Sequence, residues 1–233
     1  RLLWRLRKEY DSVFAHMNPE YVILGGLLWR VWGKCIALWY VHKSVDWRLR
    51  LTRTFVKGYF TASKESFRMK TGKPVHVVGH GIDIQKFTRH EAPASLKREQ
   101  GGRDTRHEIQ LLTIGRISPV KNIHIMIDVV KELVKRGRDV RLTIVGEPVL
   151  ERDQEYYRKL QEDVKEVLQR IIFVGAKNQD EIVQYCQSAD IFLNFSETGS
   201  LDKSVLEAMA CGCLVLTSNE SFQDVLERIP ECY

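Results

Sequence analysis

Two short stretches bring together side chains that could do chemistry. In "GRISPVKN" (Gly115 to Asn122) Arg116 and Lys121 share a loop between an apolar run and a helical pattern. A guanidinium can hold a phosphate through two bonds, and an ammonium adds a point charge. The start of the following helix favours an anion at the same place. In "SETGSLDKSVLEAMACG" (Ser196 to Gly212) Gly199 and Ser200 let the backbone come close to a ligand, and Asp202 is placed to cap a helix. The N–H groups of roughly Ser204 to Leu206 then face an anion, and Glu207 on the second turn could accept two bonds from vicinal hydroxyls such as those of a ribose. Each stretch has a plainer reading. The first could be a solvated basic loop. In the second, Lys203 and Glu207 could be an ordinary i, i+4 surface pair worth a few tenths of a kcal/mol.

Other chemistries find less support. "GHGIDI" (Gly79 to Ile84) lacks the third glycine of a dinucleotide fingerprint and opens no helix, and "GRISPVKN" does not fit the P-loop pattern. The sequence has no HExxH, no G-x-S-x-G and no D-x-D metal pair. A diphosphate held by Arg116 and Lys121 would need no metal.

Both stretches lie in a regular succession of elements. Residues 12–17, 35–42, 58–63 and 74–78 read as strands, separated by helical patterns at Pro19 to Val31, Asp46 to Lys57 and Lys64 to Met69. Residues 79–108 are polar, irregular and glycine-containing, and read as a linker. Strands then recur at 109–115, 140–146, 171–175, 190–194 and 213–217. Helices are expected at 122–137, Asp153 to Leu168, Asp180 to Ser188, Lys203 to Ala210 and Phe222 to Arg228. In the first of these, Met126, Val129, Val130, Leu133 and Val134 mark the apolar face, Asn122 the N-cap and Gly137 the stop. Apolar strands alternating with helices imply parallel sheets covered on both faces, with ligands beyond the carboxyl ends of the strands. That rule puts both stretches on one sheet edge.

The 233 residues, 44% of them hydrophobic, are ample for more than one core. Five scattered cysteines without zinc spacing point to a reduced, cytosolic chain. Residues 1–75 carry 15 Lys and Arg against 5 Asp and Glu, whereas the remainder carries 21 against 25. The basic first third suggests an anionic partner, either a phosphorylated substrate or a membrane surface, unless it is simply a solvated face. The apolar stretch Tyr21 to His42 is cut by Arg30 and Lys34 into pieces too short to span a bilayer, and reads as a helix, a turn at Gly33 and a buried strand. The chain starts and stops in mid-pattern, as a fragment would.

"TIGRISPVKN", "IVGE", "FVGAKNQDEI" and "SADIFLNFSETGSLDKSVLEAMACG" resemble, in order and spacing, the second domain of the family 4 retaining glycosyltransferases of the GT-B fold. "GHGIDIQKF" is similar to the "NGVDxxxF" segment that opens that family's interdomain linker, with His80 in place of the asparagine. The resemblance implies an α/β chain of two Rossmann-like parallel-sheet domains. Residues 1–80 would be a truncated acceptor-side domain, 81–108 the linker and 109–233 the nucleotide-sugar donor domain. It implies transfer of a sugar from a nucleoside-diphosphate sugar to a hydroxyl of a glycan or lipid-linked acceptor, without metal or other cofactor and without nucleic acid. The cytoplasm is the expected compartment, with peripheral contact at the inner membrane face through the basic N-terminal part and its tryptophans.

The family's roles fall on His42, Arg116 and Lys121 as catalytic residues, His42 facing the transferred sugar. The donor would be bound by Gly115, Arg116, Lys121, Gly199, Ser200, Leu201, Asp202, Lys203, Val205, Leu206 and Glu207. Glu207 matches the second acid of the family's E-x7-E motif, which holds the ribose. Counting back eight residues reaches Gly199, so the first acid is absent; Glu197 and Asp202 are near but out of register. That departure leaves room for a non-catalytic nucleotide-sugar-binding subunit, and the fold also hosts epimerases and phosphorylases.

Overall fold

The computed structural model describes residues 2–88, 108–197 and 199–227. They fall into two compact units, one within Arg1–His80 joined by Gly199–Leu201 and the segment from Glu220, the other Gly81–Thr198 with Asp202–Asn219. Most of the linker expected at 81–108, and the end of the helix expected at Phe222 to Arg228, lie outside the described residues.

The first unit opens with a short helix that the residue pattern does not announce, α1 (Leu2–Leu6). Then follow β1 (Ser12–His16), α2 (Pro19–Val31), β2 (Cys35–Trp39), α3 (Trp47–Thr52), β3 (Gly58–Thr61) and β4 (Val75–Val77). The four strands are parallel, in the order β1-β2-β3-β4. Pro19 occupies the first turn of α2, where its missing N–H costs nothing. Asp46 caps α3 by accepting from Leu49 N at 2.8 Å. Val22, Trp29, Ile36, Leu38, Leu49 and Tyr59 form the core. β2 stops at Trp39, so His42 lies three residues past the strand. The helix expected at Lys64 to Met69 is absent. The Ser63 hydroxyl accepts from Ser66 N at 3.2 Å and bonds Ser66 Oγ at 2.8 Å, offering the chain a side-chain turn instead of a helical one. No helix among the described residues is long and apolar enough to cross a membrane.

The second unit runs β5 (Ile109–Ile114), α4 (Ile123–Lys135), β6 (Val140–Val145), α5 (Glu151–Asp163), β7 (Ile171–Gly175), α6 (Gln179–Ser188), β8 (Ile191–Asn194), α7 (Lys203–Ala210) and β9 (Leu214–Thr217). Its five parallel strands take the order β7-β6-β5-β8-β9. A short helix α8 (Gln223–Leu226) comes after it. The core packs Ile123, Met126, Ile127 and Val130 of α4 against Leu111, Leu142, Ile144, Ile171 and Leu193. Val129, expected on that face, is 40% exposed. It is 60° round the helix from Met126, and Ile127 fills the core side instead. The helix expected from Asp153 begins two residues earlier and stops at Asp163, followed by a 3-10 turn at Lys165–Val167.

The amino ends of β5, β6 and β7 are tied by charge. Glu108 accepts from Gln110 Nε2 at 2.9 Å and pairs with Arg170 at 2.7 Å and Arg141 at 3.0 Å. Arg170 also pairs with Asp139. Burial alone would raise the Glu108 pKa, but the Gln110 bond and the two guanidinium groups overcome it and hold the carboxyl below its usual value. A depressed folded-state pKa gives stability that is complete above about pH 4.5 and is lost as pH falls through the folded value. Urea midpoints measured at pH 7 and pH 3.5 should therefore differ less in Glu108→Gln than in the parent. Equal differences would show that the network adds nothing.

Candidate functional site

The strand order reverses direction between β5 and β8, since the chain winds outward through β6 and β7 on one side and to β9 on the other. In open parallel sheets the crevice at such a switch point, beyond the carboxyl ends of the strands, is where ligands bind. Both chemistry-bearing stretches leave the sheet here: Gly115, Arg116 and Lys121 after β5, and Asn194, Ser196 and the approach to α7 after β8. A narrow recess between them is lined by Thr113, Gly115, Arg116, Lys121, Asn194 and Ser196, among others.

Two glycines shape the floor. Gly146, at the end of β6, has φ +137° and lies so close to the first loop that a Cβ would stand 2.0 Å from Gly115 O. Gly115 itself has φ +150°. The two loops then run together, with Gly115 N donating to Val145 O (2.9 Å) and Ile117 N to Glu147 O (3.1 Å). A 3-10 turn at Pro119–Lys121 lifts Lys121 toward the crevice.

Lys121 Nζ lies 2.8 Å from Asp202 Oδ2 and 3.5 Å from Ser196 Oγ. The same Asp202 oxygen accepts from Asn194 Nδ2 at 2.8 Å. Asp202 occupies the N-cap position of α7, but its carboxylate caps nothing. Lys121 and Asn194 draw it away: the ammonium brings a full positive charge to the carboxylate, where a cap would offer only a backbone N–H. The N–H of Val205 turns back to Asp202 O at 3.1 Å. Asn122 departs from expectation similarly. It stands before α4 with φ +51°, and its amide bonds Phe195 O and Glu197 Oε1, each at 3.0 Å, rather than capping the helix. The amide thus ties the β5 loop to the β8 loop, which Glu197 N reinforces by donating to Val120 O.

Arg116 is exposed, its Nε 3.9 Å from Asp153 Oδ2, too far for a hydrogen bond. Asp153 is 3% exposed, and that oxygen has no hydrogen-bond partner. On α7, Lys203 Nζ approaches Glu207 Oε1 at 3.4 Å, but the pair is no surface ornament: the Glu207 side chain is only 9% exposed. Ser204 Oγ lies 3.4 Å from Ile114 O, which sets the first turn of α7 against the end of β5. Val205 is buried and Leu206 half-buried beneath it. The structure therefore brings Gly115, Arg116, Lys121, Asp202, Lys203, Val205, Leu206 and Glu207 to one edge of the second unit. Gly199, Ser200 and Leu201 group with the first unit, Gly199 with φ +63°. His42 also belongs to the first unit, and its Nδ1 accepts from Ser44 N at 3.2 Å.

Asn194, Ser196 and Asp153 were not singled out from the sequence. Asn194 gives a signal in retrospect, a lone amide ending the apolar run "DIFLN". Asp153 reads as an ordinary acid in the first turn of a helix, and only its burial sets it apart.

Doubly wound parallel sheets of this kind make the protein an α/β chain of the GT-B fold, and solved structures match it throughout. The Anabaena protein Alr3699/HepE in complex with UDP superposes with a TM-score of 0.76 at 19% identity, over 96% of this chain and 64% of that one. Sucrose-phosphate synthase of Thermosynechococcus elongatus gives 0.75 at 17% identity, over 99% and 61%. The chain belongs to the glycosyl transferases group 1 family, whose model matches residues 96–227. Among curated relatives, alpha-monoglucosyldiacylglycerol synthase of Streptococcus pneumoniae is 27% identical over 67% of this chain and 34% of its own length. Lipopolysaccharide 1,2-N-acetylglucosaminetransferase of Salmonella typhimurium is 32% identical over 47% and 30%. The chain thus spans about a third of the length of the curated relatives it matches.

Proposed function

We propose that the chain is part of a retaining glycosyltransferase that moves a sugar from a nucleoside-diphosphate sugar to the hydroxyl of a glycan or lipid-linked acceptor. The observation that carries this reading is the Lys121 ammonium held by the Asp202 carboxylate at the β5/β8 switch point, in a recess that Arg116 also lines, with Lys203 and the buried Glu207 one turn apart on the helix that Asp202 precedes. A carboxylate oxygen stands where a phosphate oxygen of the donor would be held, so binding exchanges one anionic partner of Lys121 for another. Arg116 and Lys121 then offset the charge that builds on the departing diphosphate, and the reading asks for no metal or other cofactor. The leaving phosphate accepts the acceptor's proton as the new bond forms on the same face. Catalysis rests on positioning and on these two cations. Glu207 takes the ribose hydroxyls, and the role of His42 rests on the family resemblance alone.

At position 199 the φ of +63° belongs to the left-handed region, which a glutamate adopts only under strain. Asp202, freed from Lys121 when the diphosphate enters, is the carboxylate left to meet the sugar hydroxyls. The basic first unit contacts the membrane surface at the cytoplasmic face in this reading, its exposed Trp4 and Trp47 beside cations.

The test is thermal stability in the presence of UDP, GDP, ADP and their sugar conjugates. A ligand at 100 times its Kd adds about 2.7 kcal/mol to the folded state. One nucleotide should raise the Tm of the parent and leave Glu207→Ala unmoved. A shift that survives in Glu207→Ala would remove Glu207 from the site, and no shift with any nucleotide would count against the donor reading.

A further inference from the structure

The first unit holds a pocket of about 460 Å³ between α3 and the segment that follows β3. Its size suits a small molecule. Arg50, Arg53, Arg68 and Lys70 line it, with Val45 and Met69 as apolar wall and no carboxylate. Among the described residues none of these four cations has an ion-pair partner. The nearest acid before them, Asp46, is committed to capping α3, and Arg68 Nε donates to the backbone oxygen of Glu65 at 3.3 Å. Residues 43–73 as a whole carry nine Lys and Arg against two Asp and Glu.

Arg50 and Arg53 stand at the carboxyl end of α3, where the helix dipole favours a cation. That reason does not reach Arg68 and Lys70, which come from a separate, non-helical segment. Charges lining one pocket repel across less than about a Debye length, roughly 8 Å at physiological salt. A carboxylate would offset only one of the four. Three guanidinium forks and an ammonium suit a tetrahedral dianion, whose oxygens accept paired bonds.

We propose that this pocket binds a phosphoryl group, borne by a soluble ester or by a lipid headgroup. The binding itself is independent of the donor site; its use to anchor the acceptor rests on the glycosyltransferase reading. Calorimetric titration with glycerol 1-phosphate, glycerol and acetate tests it. The ester should bind saturably, and glycerol and acetate should not. Arg53→Gln/Arg68→Gln should weaken the ester at least tenfold, with Arg50→Gln/Lys70→Gln as a second pair should the first fail to fold. Glu207→Ala should leave the ester bound while losing nucleotide. Unchanged ester affinity in a folded double variant, or equal binding of acetate, would overturn the proposal. Vesicles of neutral lipid with and without phosphatidic acid separate the sources. Sedimentation with phosphatidic acid that the double variants lose identifies a lipid headgroup. Ester binding without sedimentation identifies a soluble one, and neither overturns the assignment. Absence of nucleotide binding by the parent chain, with the ester still bound, would defeat the donor reading alone.

Discussion

Lys121→Ala is expected to slow the proposed sugar transfer about 30- to 900-fold, the equivalent of roughly 2 to 4 kcal/mol of transition-state stabilisation from one preorganised donor to a developing oxyanion. The ammonium has one strong partner in the structure, Asp202 at 2.8 Å, and its side chain is only 20% exposed. Solvent therefore cannot replace it cheaply when it is removed. The variant also leaves the Asp202 carboxylate, 16% exposed, with Asn194 Nδ2 as its remaining partner in that network. Stability should fall too, by about 1 to 3 kcal/mol, the cost of a part-buried acceptor losing a charged donor. Two readouts separate these effects. Single-turnover transfer reports the chemistry, and urea unfolding reports the fold. Lys121→Arg, which keeps the charge, should recover most of the stability and only part of the rate. A fall of less than fivefold in Lys121→Ala would remove the residue from the transition state.

Gly146→Ala should destabilise the second unit by about 2 to 5 kcal/mol, and it acts on the site through the backbone. Its φ of +137° is strained for any residue with a Cβ. The new methyl would meet Gly115 O at 2.0 Å and Gly115 C at 2.9 Å, both main-chain atoms that no rotamer change can move aside. Relief requires the β5 loop to shift, which breaks the register of Gly115 N on Val145 O and carries Arg116 away from the crevice. Against a typical total of about 5 to 15 kcal/mol, that loss is a large fraction of the stability. Gly137→Ala is the control. It has φ +72° but open space around its Cβ, so it should cost only the backbone strain, about 1 to 2 kcal/mol. Equal urea midpoints for the two variants would show that the clash is absorbed and that the β5 loop is not held by Gly146.

Much of this protein was legible before any coordinates. The apolar runs at 109–115, 140–146, 171–175 and 190–194 alternate with helical spacing, and an all-parallel sheet is the arrangement that buries such runs on both faces. The edge rule placed Arg116, Lys121 and Glu207 together, and the structure brings all three to one edge of the second unit; their binding roles belong to the proposed function. Local sequence failed where side chains had a choice of partner. Ser63 and Ser66 turned an expected helix into a bend, and Asn122 and Asp202 stand at helix starts without capping them.

The sequence by itself determined the α/β class, the two strand-rich halves and the membership of "GRISPVK" and "SLDKSVLE" in one edge, because hydrophobic periodicity is a local property and the edge rule follows from parallel winding. Only the tertiary structure decided that Lys121, Asp202 and Asn194 share one oxygen, that Glu207 is buried, that Asp153 waits near Arg116 and that four cations line a pocket beside α3. Those are contacts across up to 81 residues of chain, as from Lys121 to Asp202. They are set by which loops the strand order brings together, and no spacing along the chain encodes that order.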